Sequence, residues 1–223
     1  MTTDTAYNDI MDAIVTQRLA PSQKVSENIL TDMFDISRTT ARNIMEQLTA
    51  QQFLVSVSPR ITRIAALTLM DVKQNFAIRK MLHPNIFAMA AGQINYNEFV
   101  KLNNATDYKK SITEDTVALE VLKANRRFNV YVAQHVQYPL MIEWVRQLEN
   151  TAMRIYWLYI KMKGTLPYTW ERQKDLLKAV KHDQSTEIRN QTHAILSICE
   201  ERVLEAIFLH DQLLKQDLRV NNP

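Results

Sequence analysis

The 223 residues are 46% apolar and 23% charged with a formal net charge of +3. That balance excludes a disordered chain and allows one or two domains with a sizeable core. Only two glycines, Gly92 and Gly164, are present, so few tight hairpins and a mostly helical chain are expected. The single Cys199 rules out an intramolecular disulfide and fits a reducing compartment. The polar start MTTDTAYNDI lacks the apolar run of a signal peptide, and no apolar run nears the ~18 residues of a membrane span. A cytoplasmic protein with no membrane partner is expected.

Residues 5–18 carry Tyr7, Ile10, Met11, Ile14 and Val15 at helical spacing and predict an amphipathic supporting helix. Residues 19–25 read as a loop, with Pro21 stopping that helix. The stretch Val25–Arg63 then reads as two short helices, a tight turn between them, and two strands. Ser26 is suited to cap the first helix, which is expected to bury Ile29, Leu30 and Met33. Asp35-Ile36 makes the turn. Ser37 caps the second helix, whose Ala41, Ile44, Met45 and Leu48 face inward. Arg38, Thr39, Arg42 and Asn43 are left exposed near its start. A helix-turn-helix offers that part of its second helix to the major groove, where Arg and Asn make bidentate contacts to guanine and adenine edges. The strands Phe53–Ser58 and Ile61–Ala65, joined by Pro59-Arg60, would form a wing. Residues 1–66 hold six basic and seven acidic residues, net −1. A nucleic-acid domain usually shows a basic surplus. Four of the six basic residues lie in the second helix or wing, and weak non-specific DNA affinity is expected.

From residue 68 the pattern is helical almost throughout, which sets domains at 1–67 and 68–223. Helices are predicted at Leu69–Gly92 (interrupted or kinked at Pro84), Asn95–Lys110, Thr113–Gln137, Leu140–Lys163, Tyr168–Lys181, and from a cap at Asp183 to about Lys215. In the second of these, Tyr96, Phe99, Leu102 and Ala105 or Thr106 point inward. The tail DLRVNNP is expected to fray. Short links between six helices suit an antiparallel bundle. The fold class is therefore mainly α: an N-terminal winged helix-turn-helix followed by an antiparallel all-α bundle. The aromatic group Tyr156, Trp157 and Tyr159 either fills the bundle core or lines a ligand pocket.

Several stretches resemble a known family. SRTTARNIMEQL followed by FLV is similar to the signature of GntR-family transcription regulators, and LAPSQKVSE to the segment that precedes it there. Arg79-Lys80-Met81-Leu82, Gln134–Leu140 and Lys178–Asp183 resemble motifs of the FadR-type C-terminal ligand-binding domain, the FCD domain. The wing departs from that pattern in lacking a glycine at its tip.

The resemblance implies a divalent-cation site in the bundle, built from one Asp and three His. Here the aligned positions are Asn125, Asn129, Gln173 and His193, or a residue beside it. Amides are poor zinc ligands, so no metal and no cofactor is expected. A polar cluster remains in an apolar bundle. Either Asn125, Asn129, Gln173 and His193 satisfy one another, or they bind an effector. Arg79 resembles the position that faces an effector carboxylate in that family, a task for which its fork is suited; the other reading is a structural ion pair. His83 stands where the family has Glu, and no site is assigned to it.

The resemblance thus implies a non-enzymatic regulator that binds an inverted-repeat, double-stranded DNA operator as a homodimer. Ser37, Arg38, Thr39, Arg42, Asn43 and Arg60 are its expected DNA contacts. Arg79, Asn125, Asn129, Gln173 and His193 would bind a small-molecule effector, an organic acid or acyl compound. The rival readings are a helical-bundle enzyme and a regulator without small-molecule control.

Overall fold

The computed structural model describes residues 2–168, 170–209 and 217–219. Its contacts divide them into two compact units, residues 2–68 with 217–219 and residues 69–209.

In the first unit, α1 (Thr3–Val15) starts where Thr2 accepts a hydrogen bond from the Thr5 amide. It buries Ala6, Ile10, Met11, Ala13, Ile14 and Val15, the inward stripe its spacing predicts, but ends three residues before the expected limit. The loop that follows holds an unexpected strand, β1 (Lys24–Val25). Helix α2 (Glu27–Phe34) is capped by Ser26, whose Oγ accepts from the Ile29 amide. Of its three expected inward residues only Leu30 is buried; Ile29 is half-buried and Met33 exposed. One turn of an eight-residue helix presents too narrow a face to bury all three. Asp35 ends α2 in the left-handed region at φ 51°, which Asp tolerates in turns.

Helix α3 (Arg38–Ala50) is capped by Ser37 and buries Ala41, Ile44 and Leu48. Strands β2 (Leu54–Ser58) and β3 (Ile61–Ile64) pair antiparallel, with Leu54 opposite Ile64 and a register shift between Ser56 and Ser58. β1 adds to the other edge of β3, with Lys24 opposite Arg63, giving the order β1-β3-β2. The tail that was expected to fray belongs to this unit over residues 217–219. Leu218 is fully buried; its amide donates to the Leu67 carbonyl at 2.7 Å, and its carbonyl accepts from Gln17 Nε2 at 2.9 Å. Burying one large apolar side chain with both its backbone groups paired outweighs the chain entropy that makes termini fray.

The second unit comprises α4 (Leu69–Ala90), α5 (Tyr96–Asn104), α6 (Asp115–Gln134), α7 (Pro139–Lys163), α8 (Trp170–Lys181) and α9 (Ser185–Phe208). α4 continues through Pro84 without the interruption that was one of the two expectations there. α5 ends six residues before its predicted limit, and its buried residues are Phe99 and Asn103. α6 opens with Glu114, not Thr113, at the cap position. Gln184 precedes α9, because Asp183 is left-handed at φ 48° and outside the helix. The predicted end near Lys215 lies outside the described residues. Phe87, Phe99 and Phe128 meet within 5.1 to 6.4 Å of one another at the centre of the core.

Candidate functional site

Two surfaces carry the sequence-predicted residues, one in each unit. On α3, Arg38, Thr39, Arg42 and Asn43 are all exposed, as inward-facing Ala41, Ile44 and Leu48 require. Ser37 Oγ accepts from the Thr40 amide at 3.1 Å and lies 2.9 Å from the Thr40 hydroxyl, so its first role is the cap. Arg42 is held by α2: its Nε donates to Glu27 Oε1 at 2.8 Å and its Nη2 to Oε2 at 3.3 Å. This bond holds the Glu27 carboxyl below the usual carboxylate range and raises the Arg42 guanidinium. Arg60 sits exposed in the wing turn. Arg63 is tied down, its Nη1 donating to the Ser22 carbonyl at 2.7 Å.

Within the bundle, each helix turns a polar side chain inward. On α4, Asn75, Arg79 and His83 recur every four residues and are all buried, a spacing that puts them on one face. α6 adds Asn125 and Asn129, α7 Glu149 and Tyr156, α5 Asn103, α8 Gln173 and α9 Thr192. Glu149 is the hub, fully buried. Arg79 Nη2 lies 2.9 Å from its Oε1, Asn129 Nδ2 donates to Oε2 at 2.9 Å, and Asn125 Nδ2 reaches the same oxygen at 3.4 Å. Arg79 Nη1 donates to the Tyr156 hydroxyl at 2.8 Å. Of the two readings of Arg79, the structure shows the ion pair. The carboxylate comes from α7.

The electrostatics follow from burial. It pushes the Glu149 carboxyl up, with Arg79 and Asn129 pulling the other way. It also opposes the Arg79 charge, but Glu149 and Tyr156 outweigh it and the guanidinium stays above its ordinary value. Burial and then the Arg79 charge hold His83 well below its usual 6.5, so its imidazole is neutral at pH 7. Burial raises Tyr156 and Tyr168 and pushes the Cys199 thiol up to about 11, which leaves that thiol unreactive.

A cavity of about 50 Å³ lies against this network. Arg79, Asn125, Asn129 and Gln173 line it, as expected; Thr192, Tyr168, His83 and Asn103 line it too. Gln173 Nε2 donates to the Thr106 hydroxyl at 3.3 Å. His193 is not there. It is exposed and lies 3.4 Å from Ser197 Oγ, and its neighbour Thr192 is the residue that points inward. A shift of one residue on a helix turns a side chain by about 100°, enough to move it from core to solvent.

Sequence reasoning missed Glu149, His83, Asn103 and Thr192. The α4 triplet was readable as polar residues at helical spacing in an apolar helix. Glu149 had no such signal, because it stands in the mostly polar stretch QLENT.

The four positions that the family resemblance assigns to a metal do not fit one. Three are neutral amides, and two of these direct their N–H groups at Glu149. The fourth histidine faces out. Glu149 already holds a guanidinium, whose fixed charge opposes a divalent ion. No group of three or more His, Cys, Asp or Glu suited to a metal occurs among the described residues.

Comparison with known proteins agrees with both halves of the architecture. Residues 2–64 match the family described as bacterial regulatory proteins, gntR family, and residues 74–197 match the FCD domain. Among solved structures, the chain is similar to McbR/YncC of E. coli, with TM-score 0.67 and 16% identity over 95% of this chain and 99% of that one. It is also similar to a GntR transcriptional regulator of Rhodococcus sp. RHA1, with TM-score 0.67 and 15% identity over 91% and 97%. At such identities the likeness is one of fold. Compared with curated protein sequences, the chain finds no match.

Proposed function

The chain belongs to the GntR family of bacterial regulatory proteins and carries an FCD domain, and from that premise we propose that it is a dimeric, operator-binding transcription regulator controlled by a small molecule in the bundle cavity. As members of a transcription-regulator family are not enzymes, no catalytic step is assigned. On DNA, α3 enters the major groove of each half-site of an inverted repeat, since a two-fold protein meets two equivalent half-sites. Arg38 and Arg42 make base or phosphate contacts, Thr39 and Asn43 flank them, Ser37 holds the helix start, and Arg60 reaches the backbone from the wing. With net charge −1 over residues 1–66, few phosphates are neutralised, so specific contacts and dimerisation supply most of the affinity.

The observation that carries the effector reading is the cavity wall. Arg79 Nε, both ends of the Asn103 amide, the Tyr168 hydroxyl and the Thr192 hydroxyl are buried and have no hydrogen-bond partner within the described protein, and His83 Nε2 has only Glu149 Oε1, at 3.5 Å. All five residues line the one cavity. Each unpartnered buried polar group costs about 1–3 kcal/mol, so water or a ligand in the cavity supplies the partners. The effector stabilises one arrangement of the dimer, which requires different affinity in the DNA-binding and released states. No metal takes part. A thermal-shift screen of small molecules, followed by fluorescence anisotropy on an operator duplex, tests this. A ligand that raises the melting temperature and shifts operator affinity supports the reading. If such ligands leave operator affinity unchanged, small-molecule control is excluded.

A further inference from the structure

The effector's charge class can be read from what the cavity already contains. Glu149 takes the donors that an acid effector would need: one arm of Arg79 at 2.9 Å and the amides of Asn129 and Asn125. It is a carboxylate supplied by the chain itself. Arg79 and Glu149 offset each other's charge. The unpartnered groups on residues that line the cavity are both donors and acceptors: Arg79 Nε and Asn103 Nδ2 donate, Asn103 Oδ1 accepts, and the hydroxyls of Tyr168 and Thr192 do either. Thr192 adds a contrast within the molecule. A helical Thr often returns its hydroxyl to the carbonyl four residues back, as Thr16 does to Asp12 and Thr49 to Met45. The Thr192 hydroxyl has no such bond, although Thr192 is 5% exposed in the middle of α9.

Resting on the effector reading above, we infer that this cavity takes an uncharged, hydroxyl- or amide-bearing small molecule rather than an organic acid, because Glu149 already occupies the cationic subsite. A second carboxylate would sit beside Glu149 in a low-dielectric core, where like charges repel strongly, and would leave the Asn103 carbonyl oxygen facing an anion. The cavity of about 50 Å³ holds a few water-sized groups at roughly 10–15 Å³ each. The ligand is therefore small, a handful of non-hydrogen atoms.

Titration calorimetry on the full-length dimer, with near-isosteric pairs at pH 7, tests this: glycolamide against glycolate and lactamide against lactate. Each amide is expected to bind at least about tenfold more tightly than its acid. Thr192→Val, which keeps the side-chain shape, should weaken amide binding about five- to tenfold, the loss of one hydrogen bond, with the circular-dichroism melt of the ligand-free protein not lowered, since the hydroxyl has no partner there. Glu149→Gln should move the preference towards the acids, since it frees Arg79; if that variant does not fold, Thr192→Val still decides the site. An acid that outbinds its amide in the wild type overturns the charge class and leaves the pocket reading standing. Binding that is indifferent to Thr192→Val overturns the placement of the ligand. Binding of neither member of either pair overturns both the class and the effector reading.

Discussion

Each unit of the chain holds an arginine–glutamate pair of nearly the same length: Arg42–Glu27 at 2.8 Å in the reading head and Arg79–Glu149 at 2.9 Å in the bundle. Their surroundings are opposite. The side chains of the first pair are 64% and 32% exposed, those of the second 3% and 0%. In water the first pair gains little, because solvent and salt screen it and two long side chains must be ordered. It can open when a base edge or phosphate offers a better partner. The second pair has given up its hydration, so neither member can be removed alone without stranding the other. Equal geometry thus yields a displaceable contact in one place and an obligatory one in the other. This suits a head that must exchange partners and a core that must not.

The largest effect that can test this contrast is on the buried pair. Glu149→Ala should cost about 3–5 kcal/mol of unfolding free energy, the usual result of stranding a buried charge. Urea denaturation measures it, and a loss near that of a surface substitution would show that Arg79 finds other partners. Next comes the exposed pair. Arg42→Ala should weaken binding to an operator duplex about five- to a hundredfold if it reads a guanine, with the thermal melt unchanged. Unaltered affinity in an anisotropy titration would remove Arg42 from the interface.

His83 supplies a pH dependence whose sign is set by burial. Its folded pKa lies well below 6.5, so below pH 6.5 the unfolded chain takes up a proton that the folded chain refuses. Its neutral burial therefore favours the folded state fully above pH 6.5, and stability falls as the pH drops beneath that value, by up to about 1.4 kcal/mol per pH unit. In His83→Gln that component should vanish. Comparing denaturation of the two proteins at pH 7 and pH 5.5 isolates it from the carboxylates they share, and parallel curves would refute the neutral, buried assignment. The smallest expected effect is that of Glu27→Gln. It releases Arg42 and removes one negative charge from the helix-turn-helix, which should raise affinity for a non-operator duplex about two- to fivefold at low salt. A decrease would mean that Glu27 holds Arg42 in its binding posture.

The two units also differ in how far they can be read without coordinates. In the head, local rules suffice. Ser26 and Ser37 are caps, Asp35 tolerates a left-handed turn, and the spacing of Ala41, Ile44 and Leu48 sets which way Arg38 and Arg42 face. Short range is enough because each of these depends on residues within one or two helical turns. The exceptions are β1 and Leu218, which exist through pairing with strands and loops distant in the sequence.

In the bundle, periodicity gives the helices, and the family resemblance singles out Arg79, Asn125, Asn129 and Gln173, which line the cavity. That resemblance does not fix the phase of α9 to within one residue: it points to His193 or a residue beside it, and Thr192 is the inward side chain. Nor could it pair Arg79 with Glu149, 70 positions away on another helix. Composition, caps and helical spacing depend on bonds formed close along the chain, so the sequence by itself determined a winged helix-turn-helix joined to an all-α bundle and the exposed arginines of α3. Whether a buried guanidinium faces a ligand or a glutamate depends on which helices pack together and at what rotation, and only the tertiary structure decided that.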